Sequence, residues 1–200
     1  MPSSNFSRVV PVLVIFIIIA VVAVAYFSVS KSNPLSSGGT TVSQQDAAKT
    51  ALLNTAADNS VQMTVRGPIV SDEDFRSYKI QIMPGSRALV TSRGYLNSTI
   101  NNISLVNSTQ SYEQFVYALY VAGLVNGNEL VGAANDTRGL CAAGYIYDFQ
   151  VLVAGKSVKQ LWTSSCSSVR GSLSANLGQL TNLFTAQIPE AESIIGRLWQ

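Results

Sequence analysis

The residues with the clearest chemical potential in this chain are two cysteines, Cys141 and Cys166, and a short acidic run, Asp72-Glu73-Asp74. The sequence contains no histidine. That excludes Ser-His-Asp and Cys-His nucleophilic sites and any His-ligated zinc site, because each needs an imidazole as base or ligand. Two cysteines cannot supply a four-thiolate zinc site or hold an iron–sulfur cluster. No cofactor and no catalytic residue is expected from this residue set.

The acidic run comes after Ser71, and calcium is a conceivable ligand for it. The alternating oxygen spacing of a calcium loop is missing, however, so a solvated loop is the simpler reading. A second carboxylate, Asp148 or Glu113, brought near it by the fold would make an acid–base pair for glycoside hydrolysis. Gly155-Lys156-Ser157 matches the end of a phosphate loop, but the glycine required six positions before the lysine is Gln150, and the segment reads as a hairpin turn. Ser28-Val29-Ser30-Lys31 matches the S-x-x-K of Ser/Lys acyl transferases. It lies in a linker that cannot preorganise an oxyanion hole. Asn97, Asn102, Asn107 and Asn135 each begin an N-x-S/T sequon in a region where such triplets arise by chance.

The elements that would position these groups begin with an anchor. Residues 9–27 read VVPVLVIFIIIAVVAVAYF, without a charge or a polar face. At about 1.5 Å per residue the run spans roughly 28 Å, close to the bilayer hydrocarbon. We expect a transmembrane signal anchor that meets the lipid bilayer, preceded by a short cytoplasmic N-terminus, residues 1–8. Arg8 on the short side favours export of the opposite side, so the C-terminal domain is expected outside the cytoplasm. The alternative is a secreted domain released by cleavage after Ala25, since Ala23-Val24-Ala25 is an A-x-A sequence. Residues 28–42 are a flexible Ser/Gly/Thr linker, and residues 43–200 form the extracytoplasmic domain.

Within that domain a helix is expected from Ala47 to Ala57. Strands come next at Val61–Val65 and Tyr78–Ile82, where apolar and polar residues alternate, and a less regular one at Arg87–Tyr95. Residues 97–109 read as a polar loop. A core helix starts at Ser111 and ends at Asn126-Gly127. A hairpin then places Tyr145, Tyr147, Phe149, Val151 and Val153 on one face. With Ala154 paired to Ser157, Phe149 faces Trp162 and Tyr145 lies opposite Cys166. Leu173, Leu177, Leu180 and Phe184 mark an amphipathic helix ended by Pro189. The fold class is α+β, with a five-stranded, mainly antiparallel sheet and three or four helices.

The hairpin register and the exported setting favour a Cys141–Cys166 disulfide closing a loop of about 25 residues. Two buried free thiols are the alternative; a redox pair lacks the CxxC spacing. After Pro189, Ile194, Ile195, Leu198 and Trp199 form an apolar face at the chain end. It either packs on its own domain or meets a partner protein. The net charge is +2, with no basic run, so nucleic acid is not an expected partner.

Val65-Arg66-Gly67-Pro68-Ile69-Val70 with Phe75-Arg76-Ser77-Tyr78, Leu140-Cys141 with Tyr145-Ile146-Tyr147, and Leu161-Trp162-Thr163-Ser164-Ser165-Cys166 together resemble uncharacterised single-anchor envelope proteins of ultrasmall, reduced-genome bacteria. The resemblance covers roughly residues 45–188. It implies an exported, disulfide-bearing domain and sequons unused by the eukaryotic pathway, and it carries over no activity or mechanism. The expected function is a membrane-anchored binding or envelope-assembly module with a protein partner in the cell envelope. The alternative is an anchored, His-free hydrolase.

Overall fold

The alternation seen in Val61, Met63 and Val65 builds the middle of a sheet. In the computed structural model, which describes residues 44–200, these three side chains are at most 2 % exposed. They belong to β1 (Asn59–Arg66), which is flanked by β2 (Arg76–Ile82) and β5 (Ile146–Val153). Met63 sits opposite Ile80 on one side and Phe149 on the other, so the apolar sets of three strands share one face. With β3 (Ser86–Arg93), β4 (Ser98–Val106) and β6 (Lys156–Ser164) the order is β4-β3-β2-β1-β5-β6, antiparallel throughout. The expected anchor, linker and S-x-x-K segment lie outside the described residues. Among the described residues no helix is long and apolar enough to cross a membrane.

Four helices cover the apolar face: α1 (Gln44–Leu53), α2 (Thr109–Val121), α3 (Leu177–Thr185) and α4 (Ala191–Leu198). Leu52, Phe115, Leu119, Leu180, Phe184 and Leu198 enter one core with the strand residues. Each such side chain contributes about 1.5–3 kcal/mol when fully buried. The domain is therefore α+β, as its sequence pattern indicated, with six strands rather than five.

The additional strand is β4, in the segment expected to be a loop. It is an edge strand, so one row of its backbone groups and most of its side chains meet water. Only Ile103 and Leu105 pack against the core. Asn, Ser and Thr suffice at the other positions, and the alternation that marks the inner strands is absent.

Two further boundaries move for local reasons. Helix α2 starts earlier than Ser111, because Ser108 is its N-cap and accepts the Ser111 N–H on Oγ at 3.1 Å. It ends earlier too. Gly123, at φ 82°, donates its N–H to the Tyr120 carbonyl, and the Leu124 N–H reaches the Leu119 carbonyl. This pair of bonds is the left-handed Schellman stop, completed before Asn126-Gly127 is reached.

The β5–β6 hairpin is one residue out of the expected register. Ala154 and Gly155 both have positive φ and form a two-residue turn that pairs Val153 with Lys156. An irregularity after Val151 then leaves Val158 without a place in the ladder. Phe149 faces Leu161, and Trp162 faces Asp148 on the opposite side of the sheet. The far side of the sheet is thus partly covered as well. The free edge of β6 is sealed by the Leu173 N–H on the Trp162 carbonyl, and the Trp162 N–H on Ser172 Oγ.

Cys141 and Cys166 form a disulfide with their Cα atoms 5.6 Å apart. It ties residues 127–145 to the end of β6. A β-carbon at Gly144 would lie 2.3 Å from Ser165 Oγ and 2.8 Å from Cys141 Sγ, so only glycine fits the corner.

Candidate functional site

The face of the sheet away from the helices carries Thr64 and Arg66 on β1 and Ile146, Asp148 and Gln150 on β5. The disulfide-tied segment folds over one end of this face. The Ile69 N–H donates to the Ala142 carbonyl at 2.8 Å, joining that segment to the chain leaving β1. Between them lies a cleft of about 420 Å³, walled mainly by Ile69, Phe75, Tyr95, Leu140 and Ile146, with Arg66 at one side. Its size falls in the range of small-ligand sites, roughly 300–1,000 Å³.

The walls are fixed by a small set of contacts. Phe75 and Tyr95 stack with ring centroids 4.2 Å apart. The Tyr95 hydroxyl donates to the Val70 carbonyl at 2.7 Å, and its N–H donates to Asp72 at 2.7 Å. The acidic run thereby acquires a structural account. Asp72 accepts from the β3–β4 turn, and Asp74 accepts from Ser71 Oγ at 2.7 Å. The Arg76 guanidinium donates to the Glu73 carbonyl. Among the described residues no group of three or more acidic or thiol side chains is placed to hold a metal ion.

Arg66 stands at the boundary of two spaces. Its Nη2 donates to Thr137 Oγ1, and it also lines a smaller polar recess of about 290 Å³ with Thr64, Asp148, Gln150 and Gln160. Asp148 is 7 % exposed. Burial raises its pKa above the usual carboxylate range, while donation from Gln160 (2.5 Å) and Gln150 (2.8 Å) and the positive charge of Arg66 pull it back. Gln160 is itself oriented by Asn135, whose Nδ2 donates to Gln160 Oε1 at 3.1 Å. At the rim, Arg138 holds the Asp136 carboxyl down at about 2 through hydrogen bonds and charge. Arg66, by contrast, is in no salt bridge with another described residue.

No family model matches this sequence, and no curated protein matches it.

The remaining sequence candidates are dispersed. Glu113 is exposed on α2, across the sheet from Asp148, and does not form a carboxylate pair with it. Gly155-Lys156-Ser157 opens β6 and precedes no helix. The Asn135 amide is used inside the fold, and the Asn107 amide donates to the Met83 carbonyl at 2.7 Å. Of the C-terminal residues weighed as a partner face, Ile194 and Leu198 are buried in the core, while Ile195 and Trp199 pack against it. Trp199 meets Tyr145 edge-on at 5.0 Å and touches Gly67. This is the first of the two arrangements the sequence left open. A partner could reach the same side chains only by undocking them.

No local pattern in the sequence marks Arg66, Phe75, Tyr95, Thr137 and Leu140 as neighbours. One signal was present. Ile146 sits at a position that should face water if the outer side of the sheet were bare, so something had to cover it.

Proposed function

We propose that the chain is a single-pass membrane protein whose extracytoplasmic domain is a binding module, with its ligand held in the cleft beside Arg66. The observation that carries this reading is the cleft itself: apolar walls, the Arg66 guanidinium without an ion-pair partner beside the Asp136-paired Arg138, and a rim of exposed apolar side chains. Ile69, Val70 and Tyr95 are each a little under half exposed, and Leu96 next to them is 92 % exposed. Grouped apolar exposure of this kind marks binding surfaces. The apolar run at residues 9–27 supports the anchor, and the disulfide supports an oxidising compartment outside the cytoplasm.

The hydrolytic alternative gains little. The one buried carboxylate near the cleft, Asp148, has both oxygens occupied by glutamine amides. No second carboxylate is paired with it to work as nucleophile or base.

The test is site-specific photocrosslinking of the full chain in intact membranes. A crosslinker at Leu96, on the rim, should trap a discrete adduct. One at Tyr117, exposed on α2 away from the cleft, should not. Equal labelling from both positions, or none from Leu96, would count against the cleft as the binding surface.

A further inference from the structure

We infer that the cleft takes an apolar ligand ending in a carboxylate, with the apolar body between Phe75, Tyr95, Ile69 and Leu140 and the carboxylate on Arg66. This rests on the reading of the cleft as a binding site and adds the chemistry of what fills it.

Three observations carry it. The first is the unmatched charge of Arg66. A guanidinium that is partly withdrawn from water needs a counter-anion or a full set of acceptors. Arg66 has one hydrogen bond, from Nη2 to Thr137, and no ion pair. Asp148 and Asp136 feel its charge, but the first is held by two amides and the second by Arg138. The remaining N–H groups of Arg66 are therefore available at the cleft wall.

The second observation is geometric. A guanidinium is a planar fork, and two of its N–H groups match the two oxygens of one carboxylate. One arginine with one edge already on Thr137 suits a monoanion. A phosphate would call for more cations, and the other cation lining the cleft, Arg138, is already committed to Asp136. The third observation is the composition of the walls. Ile69, Phe75, Tyr95, Leu140 and Ile146 provide a surface for hydrocarbon, and the acidic side chains nearby, Asp72 and Asp74, are engaged in the loop that builds the wall. The volume suits a short acyl chain or one to two apolar residues at the end of a peptide.

The experiment uses the full chain in lipid nanodiscs, with the Arg66 Nε–H resonance and the Tyr95 ring signals as readouts. The ligands are octanoate against octanol, and N-acetyl-Leu-Leu against its C-terminal amide. At least one acid should shift both resonances and bind about tenfold or more tighter than its neutral analogue, the size of effect expected for a charge-assisted pair. Arg66→Gln should remove that preference, leaving the neutral analogue unchanged. Arg66→Lys, which keeps the charge without the fork, should restore only part of it. Preference for octanoate would point to a lipid-derived acid, and preference for the dipeptide to a peptide C-terminus. Acids and neutral analogues binding alike would overturn the carboxylate assignment. So would the absence of binding by any of the four. If the Leu96 adduct still formed in that case, the binding module would stand and only its ligand class would be wrong.

Discussion

Tyr95 links two loops that are remote in sequence: its ring stacks on Phe75 at 4.2 Å while its hydroxyl donates to the Val70 carbonyl at 2.7 Å. The β3–β4 turn and the chain between β1 and β2 thus form one wall of the cleft. Tyr95→Ala should remove the stacking, about 0.5–1.5 kcal/mol, and the hydrogen bond, about 0.5–1.5 kcal/mol. At roughly 2–4 °C per kcal/mol for a domain of this size, thermal unfolding should shift down by several degrees. Tyr95→Phe keeps the ring and should recover about half. Equal loss from both variants would show that the ring does not brace the wall.

The Cys141–Cys166 bond closes a loop of 25 residues' separation and carries Leu140, a cleft residue, beside it. Replacing both cysteines by serine should cost about 3–4 kcal/mol in the chain-entropy account. Non-reducing peptide mapping of carefully quenched protein should find the two joined. Gly144→Ala, which forces a β-carbon against Ser165 and Cys141, should lower the yield of the oxidised form. Two free thiols in the mapped protein would remove the covalent tie between the cleft wall and β6.

At the chain end, deletion of residues 190–200 should unfold or strongly destabilise the domain, because it strips Ile194 and Leu198 from the core and uncovers Tyr78 and Tyr145. Trp199→Ala alone should cost about 2 kcal/mol, less than the roughly 3–5 kcal/mol of a fully buried tryptophan. A deletion that left the melting temperature intact and abolished a photoadduct would assign this segment to partner binding instead.

Burial raises the Asp148 pKa, so the folded domain binds this proton more tightly than the unfolded chain does. The contribution to stability is full below the ordinary aspartate value of about 3.9 and is lost as pH rises through the folded value. Asp136 works in the opposite sense at lower pH, since its carboxyl is held at about 2. Comparing the chain with Asp148→Asn cancels the Asp136 part. In urea titrations the unsubstituted chain should lose stability relative to Asp148→Asn as pH rises above the ordinary aspartate value of about 3.9. Parallel pH profiles would mean that the amides of Gln150 and Gln160 fully offset the burial.

Much of the scaffold was legible in the sequence, and little of the cleft. Val61, Met63 and Val65 announce a central strand because both of their neighbours bury the same face. Ser98–Val106 conceals one, since an edge strand can be built from Asn and Ser. Val158 misled the hairpin register because a bulge discards it, and turn geometry rather than apolar matching sets the pairing. The cleft joins Arg66 to Thr137, which are 71 positions apart. Their meeting depends on how the segment tied by Cys141 folds across the sheet, and no local pattern encodes that. The Arg66 position reads from sequence as an ordinary outward residue of an alternating strand.

Whether the cleft is the binding surface is decided by the yield of the Leu96 photoadduct in a Leu140→Glu chain. Leu140 is half-buried in the cleft wall, and glutamate there places a negative charge among Phe75, Tyr95 and Ile69, where it opposes both an apolar body and a carboxylate, without touching the core beneath the helices. With the melting temperature within a few degrees of the unsubstituted chain, the adduct should fall to background. An undiminished adduct in that folded variant would contradict the assignment.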